Sequence, residues 1–579
     1  MFRRFFRWLL RTVLIVVALF MIVVVSEYIS HRVQPNSILT VELDGAVVER
    51  ASTSVLGLLS KNQTALNTLR NAIDQGAKDP KIVGLEIKVL NPEMELAQAQ
   101  EIVGLIKSFK SHGKWTEAYL ETAGESGLGN TPFIVASAAD EVSLMPQGDL
   151  NLMGVQLREL FMRGTLDWMG ITPNFASAGQ YKSAANMFTN KDFTQAQKEE
   201  DEGLAGNLYD QIVAAMSTER KLSPDTIKSL IDQAPIHAEQ GLKARLVDRL
   251  EYEDEFTERV KNHGGSFHRE VEYTNYARAK LFSNLSGDSI AVIYGDGEIQ
   301  RGGEGINPFS GPDTTAMTSD DMTAALKSAR ENDDVRAVIL RVDSPGGSLL
   351  ASELIDREVE LTAKKKPVVV SMSGYAASGG YMISIPAAKI IAEPGTITGS
   401  IGVLGGKFNI TPAAQKIYVN TNAVSRGANV GMFDMWTDFT PEQLKQFQDD
   451  IARNYQYFLK LVAEGRHITV EQADAVAQGR VWTGEQAIKL KLVDSLGGMD
   501  DAIAAAKGLA RLAPDQPVGV IELPEQPGLL QSLSGGKMVA MFTQRPAARI
   551  VEPVVELIHA ALSGHAIFSA AYCPVVPML

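Results

Sequence analysis

Ser378 and Lys182 lie about two hundred residues apart, and the local sequence around each suits a single reaction. Ser378 sits in Ser373-Gly374-Tyr375-Ala376-Ala377-Ser378-Gly379-Gly380-Tyr381, and Lys182 in Gly179-Gln180-Tyr181-Lys182-Ser183-Ala184. A serine hydroxyl is a weak nucleophile until an adjacent base takes its proton. Lysine serves as that base only when neutral, so its pKa must fall from ~10.4 toward working pH, and burial in an apolar pocket does this. Tyr181, Ala184, Ala185, Met187 and Phe188 bring no carboxylate that would hold the ammonium form. A hydroxyl that orients the amine without fixing its charge completes such a site, and Ser400, in Thr398-Gly399-Ser400-Ile401-Gly402, is the candidate. Asp343-Ser344-Pro345-Gly346-Gly347 follows an apolar run, and backbone N–H groups at Gly346 and Gly347 can form an oxyanion hole. Taken singly, each feature has a plainer reading: a solvated lysine, a small-residue helix contact, a turn, a glycine-bearing strand-to-helix corner. Their positions in a duplicated chain make them a set.

The duplication repeats at about 250 residues. Lys81-Ile82-Val83-Gly84-Leu85-Glu86-Ile87-Lys88-Val89 echoes Val335-Arg336-Ala337-Val338-Ile339-Leu340-Arg341-Val342, and both read as buried strands followed by a proline turn and a helix. Val135-Ala136-Ser137-Ala138-Ala139-Asp140-Glu141-Val142 matches Ile383-Ser384-Ile385-Pro386-Ala387-Ala388-Lys389-Ile390, and Leu246-Val247-Asp248 matches Leu492-Val493-Asp494. Strands alternate with helices, as in the helical stretch 351–365 before the strand 367–372, so each half is expected to be α/β with parallel strands. The expected divisions are 1–34 (cytoplasmic stub and anchor), 35–280 (first repeat, with the lysine), 281–510 (second repeat, with the serine) and a tail, 511–579, with no assigned role. The copies differ where chemistry would sit. Asn130-Thr131-Pro132 stands opposite Ser378-Gly379-Gly380, Leu90-Asn91-Pro92-Glu93-Met94 opposite the glycine loop, and Ser425-Arg426-Gly427 opposite Lys182. Each half retains what the other lacks.

Acidic residues outnumber basic ones by 69 to 55, which argues against a nucleic-acid surface. The sole cysteine, Cys573, excludes an intramolecular disulfide framework and a cysteine-based zinc site, and no histidine pair has metal-ligand spacing, so no metal or cofactor is expected. Arg3, Arg4, Arg7 and Arg11 precede the uncharged apolar residues 12–26. That pattern predicts an uncleaved single-pass membrane helix with its N-terminus in the cytoplasm and the remainder exported; the alternative, a cleaved signal peptide, lacks a small-x-small cleavage site in Ser26-Glu27-Tyr28-Ile29-Ser30-His31. In the tail, residues 551–562 read as a short amphipathic helix, too short and interrupted for a second span.

Over approximately residues 40–510 the sequence resembles the signal peptide peptidase A (protease IV) family in its long two-repeat form. The resemblance rests on Asp-Ser-Pro-Gly-Gly, Gly-Tyr-Ala-Ala-Ser-Gly-Gly-Tyr, Thr-Gly-Ser-Ile-Gly-Val and Gly-x-Tyr-Lys-Ser-Ala. It implies two tandem domains of the Clp protease/crotonase type, with Ser378 as nucleophile, Lys182 as general base, Ser400 orienting the lysine and Gly346-Gly347 as the oxyanion loop. It further implies a membrane-anchored, bowl-shaped homo-oligomer, expected to be a tetramer, that degrades released signal peptides and similar hydrophobic peptides. Two other classes are consistent with parts of the pattern. A crotonase-like acyl-CoA enzyme shares the fold type but needs no Ser–Lys pair. A non-catalytic membrane scaffold leaves the complementary losses of the two halves unexplained.

Overall fold

The computed structural model describes residues 33–51, 63–125, 127–280, 287–302, 316–525 and 568–572. The expected membrane helix and the helical stretch 551–562 lie outside these residues. Among the described residues no helix is long and apolar enough to cross a membrane.

Two parallel sheets form the body, and they share one strand order. The first runs Arg269–Glu272, Ser37–Val48, Ile82–Glu93, Trp115–Leu120, Glu141–Leu144, Arg249–Leu250, each parallel to its neighbour. The second places Gly519–Leu523, Ser289–Asp296, Val335–Ser344, Val368–Ala377, Lys389–Ala392 and Ser495–Leu496 in the same succession, also in parallel. The strand Val368–Ala377 continues beyond Lys389–Ala392 to pair with Ile397–Gly399. Central strands of such sheets are covered on both faces and read as continuous apolar runs. Accordingly Ile290, Val292, Val338, Leu340, Val368 and Val370 are fully buried. The tail contributes two strands: Gly519–Leu523 at the edge of the second sheet, and Phe568–Tyr572 in a third sheet.

The repeat extends to side-chain detail. Each half has a 26-residue helix, Gln195–Arg220 and Pro441–Arg466, with a threonine cap (Thr194, Thr440) whose hydroxyl accepts the N–H of a glutamine three residues on. Such caps satisfy a helix donor that would otherwise lack a partner. The last arginine of each helix reaches the aspartate of the Leu-Val-Asp motif, Arg220 to Asp248 at 2.7 Å and Arg466 to Asp494 at 2.5 Å. Each aspartate in turn accepts the N–H of a strand residue, Val142 or Ile390.

A buried ionic cluster joins the halves. Arg341, on the Val335–Ser344 strand, is 0% exposed. Its guanidinium donates to both oxygens of Glu49 at 2.8 and 2.9 Å, to Glu101 at 2.6 Å, and to Ser371 and Ser373 at 2.8 and 3.1 Å. Glu49 and Glu101 belong to the first half. Burial alone would push Glu49 up, but Arg341 and the Ser373 hydroxyl outweigh it and hold the carboxyl below its usual range. One guanidinium cannot neutralise the whole group. Enclosure pushes Asp343 up to about 7 and Asp296 and Glu393 up to about 8, with neighbouring carboxylates adding to the shift.

Replacing Arg341 by Met removes the cation that Glu49 and Glu101 share and leaves both carboxylates buried. The expected loss is about 3–5 kcal/mol in chemical denaturation, partly restored when Glu49→Gln and Glu101→Gln are added. Asp343, Asp296 and Glu393 keep their protons in the folded chain to about pH 7–8, whereas in the unfolded chain they release them near the ordinary carboxylate pKa. The unfolded chain therefore binds fewer protons across that window, and stability must fall as pH rises through it. Thermal midpoints measured from pH 5 to 9 at constant ionic strength should decline toward the alkaline end.

Candidate active site at the junction of the two halves

Lys182 reaches the second half because of a strand pairing. Thr172–Ala178, of the first half, runs antiparallel to Val403–Asn409 over seven matched residues, from Val403 opposite Ala178 to Asn409 opposite Thr172. Ala178 lies four residues before Lys182 and Val403 three residues after Ser400, so this register brings the two together. The intervening chain is held closely. The Tyr181 N–H donates to the Gln478 carbonyl at 2.8 Å. Gly479, at φ +78°, leaves no room for a side chain, since a Cβ there would stand 2.5 Å from the Lys182 nitrogen. The long helix Gln195–Arg220 clamps the same region, with Asn207 bonded to Thr483 at 2.5 Å and Glu485 at 3.1 Å.

Ser378 stands at the end of the strand Val368–Ala377, immediately before the short helix Gly379–Met382. Its backbone is held at φ 55°, ψ −111°, a conformation a non-glycine residue seldom adopts. The Ser378 N–H donates to the Gly399 carbonyl at 2.8 Å, and its carbonyl accepts from Met382 at 2.9 Å, which together fix the corner. Gly380 is required next to it, because a Cβ would lie 2.8 Å from the Ser344 carbonyl oxygen.

The structure brings three of the sequence-derived residues into direct contact. Lys182 Nζ lies 2.8 Å from Ser378 Oγ, 3.0 Å from Ser400 Oγ and 3.0 Å from the Ser400 carbonyl oxygen. Lys182 is 3% exposed, Ser378 0% and Ser400 1%. Ser400 also has positive φ, 50°, and its N–H donates to the Arg480 carbonyl at 2.7 Å. Gly346 and Gly347 form a short strand beside this group, at φ +108° and +152°. A Cβ built on Gly379 would stand 3.4 Å from the Gly346 Cα, so the glycine loop flanks the residue after the serine. In this state the Gly346 N–H donates to Ser344 Oγ at 3.2 Å. Asp343 anchors the loop by accepting the Tyr375 N–H at 2.9 Å.

Sequence reasoning did not find Glu200. It is buried on the long helix of the first half, accepts the Val481 N–H at 2.5 Å and is near enough to Lys182 to feel its charge. Burial pushes it up to about 8, so near neutral pH it is mostly protonated. Glu199-Glu200-Asp201 reads as a solvated acidic run, and nothing in its spacing singles out the middle residue.

In the first half, Asn130, the counterpart of Ser378 by sequence, is fully buried and donates to the Gly154 carbonyl at 2.7 Å. A cavity of about 760 Å³ lies beside that region, lined in part by Pro92, Glu95, Thr131 and, from the second half, Tyr375. Among the described residues that line it there is no serine or lysine.

The sequence model of peptidase family S49 matches twice, at residues 109–265 and 360–513. The chloroplastic serine protease SPPA of Arabidopsis thaliana is 31% identical over 85% of this chain and 72% of its own length. Protease 4 of Salmonella typhi is 33% identical over 82% of this chain and 78% of its own length. Protease 4 of Haemophilus influenzae is 33% identical over 77% of this chain and 73% of its own length. Two matches along one chain, and relatives aligned through both of them, agree with the duplicated sheet order. The chain belongs to peptidase family S49, in its long two-repeat form, and is a serine protease.

Proposed function

We propose that the chain is a Ser–Lys endopeptidase acting on short hydrophobic peptides, cleaved signal peptides among them, on the exported side of a membrane. The observation that carries the catalytic part is the buried 2.8 Å contact between Lys182 Nζ and Ser378 Oγ. A neutral amine has two N–H groups and one lone pair. The two oxygens of Ser400, both at 3.0 Å, account for the donors. The lone pair then faces Ser378 Oγ, whose hydroxyl donates to it.

In this mechanism Ser378 Oγ attacks the scissile carbonyl as Lys182 takes its proton. Collapse of the tetrahedral intermediate expels the amine, which receives that proton, and water repeats the sequence on the acyl-enzyme. Burial disfavours the ammonium form of Lys182, and Glu200, mostly protonated near neutral pH, stabilises it only weakly. The Gly346-Gly347 loop, one residue contact from Gly379, supplies N–H groups to the developing oxyanion.

The setting is a proposal from residues as well. The basic residues before the apolar stretch 12–26 support an N-terminal anchor with the catalytic halves exported. Tyr418, Val424 and Ile417 are 93%, 94% and 71% exposed, an apolar surface that supports assembly into a homo-oligomer.

Treatment with a serine-directed fluorophosphonate, read by intact mass, tests the dyad. Wild type should gain one adduct, on Ser378, and Ser378→Ala none. Lys182→Ala should label at least about a hundredfold more slowly. A folded wild type without an adduct would remove the reading. Ser400→Ala removes one of two acceptors holding the amine and should slow labelling by about tenfold without abolishing it.

A further inference from the structure

Residues 478–481 touch every part of the dyad through backbone hydrogen bonds. The Gln478 carbonyl accepts the N–H of Tyr181, the neighbour of Lys182, at 2.8 Å. The Gly479 N–H donates to the Ile401 carbonyl at 2.8 Å, and the Arg480 carbonyl accepts the Ser400 N–H at 2.7 Å. Val481 opens the strand Val481–Thr483, which runs antiparallel to Ile397–Gly399 with Val481 opposite Gly399. The Gly399 carbonyl in turn accepts the Ser378 N–H. One short segment thus sets the nucleophile, the base and the serine beside the base relative to one another.

The strand Val481–Thr483 is the edge of the second sheet, so its outward backbone groups need partners from elsewhere. Because the Ser400 N–H bonds Arg480, the Val481 N–H points away from Ile397–Gly399. It donates to Glu200 Oε1 at 2.5 Å, on the helix Gln195–Arg220 of the first half. Glu199 and Glu200 therefore grip two adjacent residues, Arg480 and Val481, and the grips differ. Glu199 pairs with Arg480 at 3.0 Å with its side chain 53% exposed, and such pairs contribute little in water. Glu200 is 2% exposed, and its Oε2 has no hydrogen-bond partner among the described residues. A buried carboxyl satisfied on one oxygen costs stability, and an apolar side chain of that size would suit the core better. What Glu200 supplies is an acceptor for Val481, fixed to a long helix.

We propose that Glu200 is a positioning residue for the Ser378–Lys182 reaction, holding the Val481 N–H and through it the segment that seats Ser400 and Lys182. The inference rests on the dyad reading above. Lys182 Nζ bonds both oxygens of Ser400, and Ser400 hangs from Arg480, the neighbour of Val481. If Val481 moves, Ser400 moves with it, and the amine turns from Ser378 Oγ.

Three substitutions in the full-length chain separate this role from a structural one. Glu200→Leu fills the space without an acceptor, and Glu200→Gln restores a side-chain carbonyl for Val481. Val481→Pro deletes the same bond from its other end, at an edge N–H that the sheet does not use. With each variant folded by circular dichroism, Glu200→Leu and Val481→Pro should lower kcat on a fluorogenic apolar peptide by about tenfold at unchanged KM. Fluorophosphonate labelling of Ser378 should slow by the same factor. Glu200→Gln should recover both rates to within about threefold of wild type, and Glu199→Gln should change neither by more than about twofold. Wild-type kcat in folded Glu200→Leu or Val481→Pro, or a loss that Glu200→Gln fails to restore, would overturn the positioning role while leaving the dyad intact. A folded wild type that takes no fluorophosphonate would remove the dyad reading, and this one with it.

Discussion

One strand pairing decides whether this molecule has a site at all. Thr172–Ala178 and Val403–Asn409 come from different halves, and their antiparallel register sets the distance between Lys182 and Ser378. A slip of one residue moves a strand by about 3.4 Å and turns its side chains to the other face. Either change exceeds what a 2.8 Å contact tolerates. The register is reinforced where side chains are missing. Gly479 and Gly402 both lie against Lys182 and leave it room, while the Tyr181 N–H is tied to Gln478 across the junction.

That pairing is exposed to the relative placement of two large domains, so the junction behind it has to be stiff. Arg341 supplies the stiffness by binding two carboxylates of the other half away from water. A buried pair of this kind contributes little net stability, because desolvation offsets attraction. It ties the halves to one another, since Glu49 and Glu101 both bond Arg341 across the junction. The surrounding carboxylates are tolerated because Asp296 and Glu393, pushed up to about 8, are mostly protonated near pH 7, and Asp343, at about 7, is only partly ionised there. Asp343 belongs to the glycine loop itself, so the junction and the site share a residue.

Duplication explains the division of parts. The frame was kept in both halves: strand order, threonine-capped 26-residue helices and the Arg–Asp pairs at their ends. Those features serve each domain's own core and are lost only at a cost in stability. The contact between Lys182 and Ser378 instead belongs to the pair of domains. Lys182 of one half meets Ser378 of the other, whereas in the first half Asn130, the counterpart of Ser378 by sequence, bonds the Gly154 carbonyl near a cavity.

Much of this was legible in the residues. Apolar β-branched runs such as 335–342 make buried parallel strands because nothing in them can face water, and the structure gives Val335–Ser344. The helix expected at 351–365 is Leu349–Ala363, and the strand expected at 367–372 is Val368–Ala377. The Leu-Val-Asp repeat marked two equivalent corners, and Ser378, Lys182 and Ser400 stood out by type and by their places in the two copies. Each of these signals is local or periodic, so the chain displays it without folding. Contacts between distant segments leave no such mark. Glu200 looks like one acidic residue among three until the helix turns it inward, and Arg341 reads as an interruption in a strand until Glu49 and Glu101 arrive. Phe568–Tyr572 has no strong pattern of its own, since its place depends on two backbone edges brought together from elsewhere. The amino-acid sequence by itself determined the elements and the reactive groups; only tertiary structure decided which groups meet, because meeting depends on register between strands hundreds of residues apart.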